Sequence, residues 1–521
     1  MRILMVAAEN DALPGGKVGG IGDVLRDIPV ALAELDHEVQ VVTPGYGAFS
    51  KLPGAEHAAD VQVYFAGFPQ LVSLYRVSAR NKCDGVKLWA MEHPVFSSCG
   101  EGLIYCDDGD TRPFATDANK FALFCMAVCR AIENGVFGEL DVIHLHDWHA
   151  AMVALLAELD PQFTKLNNIH RVFTVHNLAL QGTRPLEGDD SSPARWFKHL
   201  AINDSRVLDP RAQNCINPMR AGINLCHRVH VVSPGYAEEV VRPSDQASGF
   251  SGGEGLHDDL KQAFDNGRLY GILNGCDYDA AAPAALDWQA LLTLCEQELR
   301  LLVARETAVK SSHMLALRAV DRHRAGTSGP KSRLLLTSVG RLTGQKVNLL
   351  LQQTGDGRSA LAHMLEALGD KGVFVMLGSG DARLERAMTR HAAEFDNFIY
   401  VEGYAEQLAN ALYVGGNLFL MPSSYEPCGI SQMLAMRAGQ PCFVHHIGGL
   451  GDTVEDGVTG FSFNANDKQD AVTAMLERFD QVLQVYQQDK PGWKKIAEAA
   501  RKVRFTWRQA AERYNKFLYK H

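Results

Sequence analysis

The sequence predicts an α/β protein of two doubly wound domains facing a central cleft, and three observations carry that prediction. Short apolar runs rich in Ile, Val and Leu alternate with longer stretches of helical spacing, the pattern of parallel sheets buried on both faces. The alternation occurs twice, with a long helical stretch between the two series. The 521 residues also exceed one core, since single hydrophobic cores stop growing at about 250 to 300 residues.

The elements follow in order. Ile3–Ala8, Glu38–Thr43, Val142–His146, Arg171–His176, Val229–Ser233 and Leu269–Leu273 read as strands, most of them followed by a turn and a helix. Leu286–Val320 has helical spacing, and Asp321–Ser332 is a polar connector carrying Gly, Ser and Pro. Leu334–Val339, Val373–Leu377, Phe398–Val401, Leu418–Met421 and Cys442–His445 form a second strand series, with helices such as Ala382–His391 and Ile430–Ala438 between them. Asp467–His521 is helical in period. The predicted boundaries are residues 1–270, 271–490 and a closing helix over 491–521 that packs back on the first domain.

Composition narrows the function classes. A net charge of -10, from 51 Lys+Arg against 61 Asp+Glu, has the wrong sign for a protein that neutralises many phosphates along a nucleic acid. Eleven cysteines are spread out with no CxxC pair, so thiols in a reducing cytoplasm are expected rather than a zinc cluster or a disulfide framework. No run of about 18 apolar residues suggests a membrane span, and the first eight residues are too short for a signal segment.

Open α/β sheets bind ligands at the carboxyl ends of their strands, so polar residues just after a strand are the candidates. Pro14–Asp23 holds five glycines and Lys17 between the first strand and a helix. Its glycines let backbone N–H groups approach an anion, and Lys17 adds a point charge. Val18 stands where a Walker A loop has Ser or Thr, and no GxGxxG is present, which weakens kinase and dehydrogenase readings. His144, His146 and His149 surround Asp147 and Trp148 at the end of another strand; a polar sugar site with an aromatic wall fits them better than a metal. His176 and Asn177 end the next strand, where a structural histidine is the competing reading. In the second series Arg341 and Lys346 follow a strand and suit a diphosphate, Arg as a planar fork and Lys as a mobile charge. Glu426 precedes a helix, placed either to bind sugar hydroxyls or to complement the helix dipole.

Together these residues resemble the bacterial glycogen synthase and plant starch synthase family. The resemblance rests on nine segments in order: KVGGIGDV (17–24), HLHDWHAAMV (144–153), TVHNLALQG (174–182), VSPGYAEEV (232–240), GILNGCD (271–277), GRLTGQK (340–346), EGYAEQLA (402–409), MPSSYEPCGISQ (421–432) and GGLGDT (448–453). It implies the GT-B fold, two Rossmann-like domains, with the acceptor side in the first and the nucleotide-sugar donor side in the second. The implied reaction is retaining transfer of glucose from ADP-glucose to the nonreducing end of an α-1,4-glucan. The implied partners are thus a nucleotide sugar and a glucan, with no metal or other cofactor, no nucleic acid and no membrane. Position by position, His176, Arg341, Lys346 and Glu426 correspond to the catalytic set. Lys17, Gly19, Gly20, Asp23, Asp147, Asn177, Asn274, Tyr404, Gly429 and Ser431 correspond to substrate-binding positions.

The sequence departs from the family pattern mostly on the donor side. Ser424 and His445 stand where arginines are usual, Val347 replaces a Gly, Leu434 a Tyr, and Ala281 lies near a usual Trp. The loop at Ser97–Pro113 matches an acceptor-side loop only loosely. Two alternatives follow: a GT-B transferase using another nucleotide sugar or a small acceptor, and a non-catalytic glucan-binding relative.

Overall fold

The structure is a computed structural model, and it describes residues 1–80, 85–109, 111–245, 249–278, 284–326, 333–465 and 468–520. Ala281 and residues 327–332 of the expected connector lie outside the described residues. The chain divides into two compact units. The first holds Met1–Ser244, Gly252–Gly275 and Thr506–His521, the second Asp245–Ser251 and Cys276–Phe505.

The first unit is built on β1 (Arg2–Val6), β2 (Glu38–Pro44), β3 (Glu56–Phe65), β4 (Phe68–Val77), β5 (Val86–Glu92), β6 (Val142–His146), β7 (His170–Val175), β8 (Arg184–Pro185), β9 (Cys215–Ile216), β10 (Arg228–Val231) and β11 (Leu269–Gly271). Nine of these make one sheet in the order β11-β10-β7-β6-β1-β2-β5-β4-β3. All pairings from β11 to β5 are parallel. β3 and β4 add an antiparallel edge, a mixed sheet where doubly wound parallel order was expected. Their apolar residues alternate with polar ones, so only one face is buried, and they lack the continuous apolar run of a strand covered on both faces.

The chain steps from β1 to β2 on one side and later to β6 on the other. The sheet order therefore reverses at the β1–β6 border, where the flanking crossovers splay apart and leave a crevice at the carboxyl ends.

The second unit carries β12 (Leu334–Val339), β13 (Gly372–Gly378), β14 (Phe398–Glu402), β15 (Leu418–Met421), β16 (Cys442–His445) and β17 (Gly460–Phe463), all parallel in the order β14-β13-β12-β15-β16-β17. Successive side chains point to opposite faces. Leu336, Phe374 and Tyr400 pack on one face, while Leu335, Val375 and Val401 pack on the other. The order here reverses at β12–β15.

The stretch expected as one closing helix divides. Lys490–Lys502 is a helix whose Trp493 and Ile496 join the core of the second unit. A capping box at Thr506 and Gln509 starts a new helix at Trp507. Trp507 of this helix and, in the turn that follows it, Tyr514 and Tyr519 bury into the first unit's core.

The expectation of thiols throughout is corrected at one place: Cys99 and Cys106 form a disulfide, with Cα atoms 5.7 Å apart. Gly100 and Gly102 between them adopt positive φ, which folds the seven-residue separation into disulfide reach. No helix among the described residues is long and apolar enough to cross a membrane.

Close packing makes one glycine indispensable. Gly182 has φ +68 and lies against the indole of Trp148, into which a Cβ would project. Gly182→Ala therefore combines left-handed strain with overpacking. It is expected to lower unfolding free energy by about 3 kcal/mol, read from the urea midpoint.

Candidate functional site

In the first unit, the carboxyl ends of β1, β6 and β7 assemble one cluster. Glu9, just beyond β1, is 2 % exposed, and its Oε2 accepts N–H bonds from Val18 at 2.8 Å and Gly19 at 2.6 Å. Its Oε1 accepts from the Tyr105 hydroxyl at 2.8 Å. The carboxylate thus fixes the glycine loop at the start of the Gly20–Ala33 helix. Lys17 reaches over to Asp23, Nζ to Oδ1 2.6 Å.

Asp147 takes a left-handed φ of 55 directly after β6. This turn aims its buried carboxyl back at the next strand end, where Oδ1 accepts the His176 N–H at 2.7 Å. Burial pushes its pKa up to about 8, against the lowering by the His176 and Asn177 amides. His176 pairs with His146, Nε2 to Nδ1 3.0 Å, and burial pushes its pKa down to about 3. Asn177 Oδ1 accepts the Ala179 N–H at 2.9 Å, an Asx turn that shapes the loop. Asn274, after β11, is 5 % exposed, and its Oδ1 has no hydrogen-bond partner among the described residues. A buried amide oxygen left unmatched is costly unless a ligand donor meets it.

Of the three histidines at the end of β6, His144 and His146 stack on each other, while His149 turns to a different set of neighbours. His144 meets Tyr519 and Thr174, His146 meets His176, and His149 packs on Phe121 and Trp148.

In the second unit the cluster sits at the β12–β15 reversal. Lys346, from the helix Gly344–Leu351 after β12, forms an ion pair with Glu426, from the loop after β15. Ser423 Oγ also donates to Glu426 Oε2 at 3.3 Å, and the Glu426 carbonyl accepts the Gly449 N–H at 3.1 Å. Arg341 is exposed and has no ion-pair partner among the described residues. Gln432 donates to the Gly429 carbonyl at 2.6 Å, holding the turn that leads into the helix Ser431–Ala438. The Tyr413 hydroxyl donates to Ser431 Oγ at 3.1 Å. Tyr404 stands at 71 % exposure.

Of the candidate residues, the fold gathers Lys17, Gly19, Gly20, Asp23, Asp147, His176 and Asn177 at one sheet edge, and Lys346 and Glu426 at the other. Sequence reasoning missed Glu9, Tyr105 and the pairing role of His146. Glu9 was within reach of the post-strand rule, because it lies three residues past β1. At the two departures, the Ser424 N–H donates to the Gln345 carbonyl at 2.9 Å. His445 stacks on Phe463 and donates from Nδ1 to the Ser423 carbonyl at 3.1 Å. Burial lowers the His445 pKa to about 4, so this position holds a neutral ring.

Comparison with known proteins agrees across the chain. Residues 2–262 match the starch synthase catalytic domain family, and residues 334–481 match glycosyl transferases group 1. The glycogen synthase of Gloeobacter violaceus is 32% identical over 524 residues, covering 99% of this chain and 97% of the relative. That of Streptococcus equi subsp. zooepidemicus is 31% identical over 526 residues, covering 99% and 98%. The solved catalytic domain of starch synthase IV from Arabidopsis thaliana, bound to ADP and acarbose, superposes with a TM-score of 0.73 at 25% identity, covering 99% of this chain and 98% of that one. With the motifs and both strand-edge clusters, these matches place the chain in the glycogen synthase and starch synthase family of GT-B glucosyltransferases.

Proposed function

We propose that the protein extends α-1,4-glucans with glucose from ADP-glucose in the cytoplasm, with retention at the anomeric carbon. The observation that carries this reading is the Lys346–Glu426 pair at a sheet reversal, beside an Arg341 with no ion-pair partner among the described residues. That combination suits a nucleoside diphosphate attached to a polyol.

In this reading Arg341 and Lys346 grip the diphosphate, while Glu426 both orients the Lys346 ammonium and accepts a hydroxyl of the donor. Gly429 and Ser431 offer backbone and hydroxyl contacts, and Tyr404 lies beside the base. In the first unit, Lys17, Gly19, Gly20 and Asp23 meet the donor. Asp147, His176, Asn177 and Asn274 surround the hexose. The acceptor hydroxyl oxygen bonds to C1 of glucose as the C1–O bond to the phosphate breaks, and its proton passes to the leaving phosphate oxygen. Charge grows on the departing diphosphate, so cations already in place stabilise the transition state more than the ground state.

A second donor is favoured by Ser424 and the neutral His445, which remove positive charge where the family usually carries it. Purified protein incubated with glycogen and, separately, ADP-, UDP- and GDP-glucose decides the matter through polymer growth and freed nucleotide. ADP-glucose is expected to give the highest kcat/KM. Faster transfer from another nucleotide would replace the donor, and nucleotide release without polymer growth would replace the acceptor.

A further inference from the structure

Between His176 and the core lies a column of imidazoles that sequence reading treats as separate residues. His144 is held at both ring nitrogens, Nδ1 by the Tyr519 hydroxyl at 2.8 Å and Nε2 by Thr174 Oγ1 at 2.6 Å. His146 stacks on it with ring centroids 4.5 Å apart, and stacks on His176 at 5.3 Å on its other side. His146 is fully buried, and its ring makes one hydrogen bond among the described residues, through Nδ1 to Nε2 of His176. Its Nε2 is buried with no partner among the described residues.

Burial holds both rings in the neutral form, His146 well below its ordinary pKa and His176 at about 3. Each ring therefore carries one proton, and exactly one proton lies between them. Two arrangements satisfy this bond. If His176 donates from Nε2, the proton of His146 sits on Nε2, a buried N–H with nothing to receive it. If His146 donates from Nδ1, only a lone pair of its Nε2 is left unmatched. Orphaned buried N–H groups are the rarer and costlier of the two.

We infer that His146 is a positioning residue that fixes the tautomer of His176, donating from Nδ1 to Nε2 so that His176 keeps its own proton on Nδ1. His176 is only partly buried, and its Nδ1 has no partner among the described residues. It thus presents a neutral N–H to an incoming acceptor oxygen, a sugar hydroxyl or an ester oxygen of the donor. This inference rests on the proposed reaction for its kinetic consequence and stands apart from it for the tautomer itself.

The test uses the full chain labelled with ¹⁵N-histidine, with signals assigned by loss in single variants. Long-range ¹H–¹⁵N spectra of the parent protein are expected to show His176 protonated at Nδ1 and bare at Nε2; the reverse assignment overturns the inference whether or not the protein transfers glucose. In rate measurements, His146→Phe is expected to lower kcat by about tenfold, the worth of one hydrogen bond, with KM for the nucleotide sugar little changed. His146→Asn places an amide N–H near the former Nδ1–H and is expected to restore most of that loss. A parental kcat in His146→Phe, or no recovery in His146→Asn while it melts like the parent, overturns the positioning role. A parent protein that transfers no glucose while His176 shows the Nδ1–H tautomer overturns the proposed reaction and leaves the tautomer established.

Discussion

Lys346→Ala is expected to lower turnover by about a hundredfold or more, and Arg341→Ala by a similar factor, because both cations act on charge that develops as the diphosphate departs. The two differ in what is left behind. Removing Lys346 strips the counter-charge from Glu426, which is 5 % exposed, so this variant also loses stability through an uncompensated buried carboxylate. Arg341 is exposed, and its loss leaves the melting temperature unchanged. Initial rates of nucleotide release together with thermal melts check both statements. Near-parental turnover in either variant removes that residue from the diphosphate grip.

Asp147→Asn is expected to reshape the dependence of stability on pH. The buried carboxyl titrates at about 8 against an unfolded value of 3.8, so its folded-state pKa is raised. Below about pH 4 both states are protonated and the group has no destabilising effect. As pH rises the unfolded chain ionises first, so stability falls between about pH 4 and pH 8 and then levels off. Linkage sets the upper limit of this loss on the order of 5 kcal/mol. Asparagine keeps an oxygen to accept the His176 N–H and never ionises. The advantage of Asp147→Asn over the parent should therefore grow from near zero at acid pH to several kcal/mol near pH 8.5, measured by urea unfolding. An offset that does not vary with pH would show that Asp147 is ionised in the folded protein.

Much of the fold was legible in the sequence because parallel strands buried on both faces leave continuous apolar runs. Val142–His146, Leu334–Val339, Leu418–Met421 and Cys442–His445 coincide with β6, β12, β15 and β16 residue for residue. The strands β3 and β4 escaped because one of their faces is wet, and β17 because Gly460–Phe463 reads GFSF, with a glycine and a serine in place of a continuous aliphatic run. The disulfide escaped because cysteine spacing alone does not reveal the two positive-φ glycines that close the loop.

What the sequence by itself determined is local: which segments are strands, and therefore which residues stand at their carboxyl ends, since hydrophobic period and turn chemistry act over a few neighbouring residues. Only the tertiary structure decided who faces whom. Glu9 came to hold Gly19 and Asp147 to hold His176, while Lys346 met Glu426 across 80 residues of chain. Those partnerships follow from strand order and register, which are set by the burial of whole sheet faces rather than by any local preference. The same burial withdraws water from His146, and with it the freedom of the His146–His176 pair to choose where its shared proton sits.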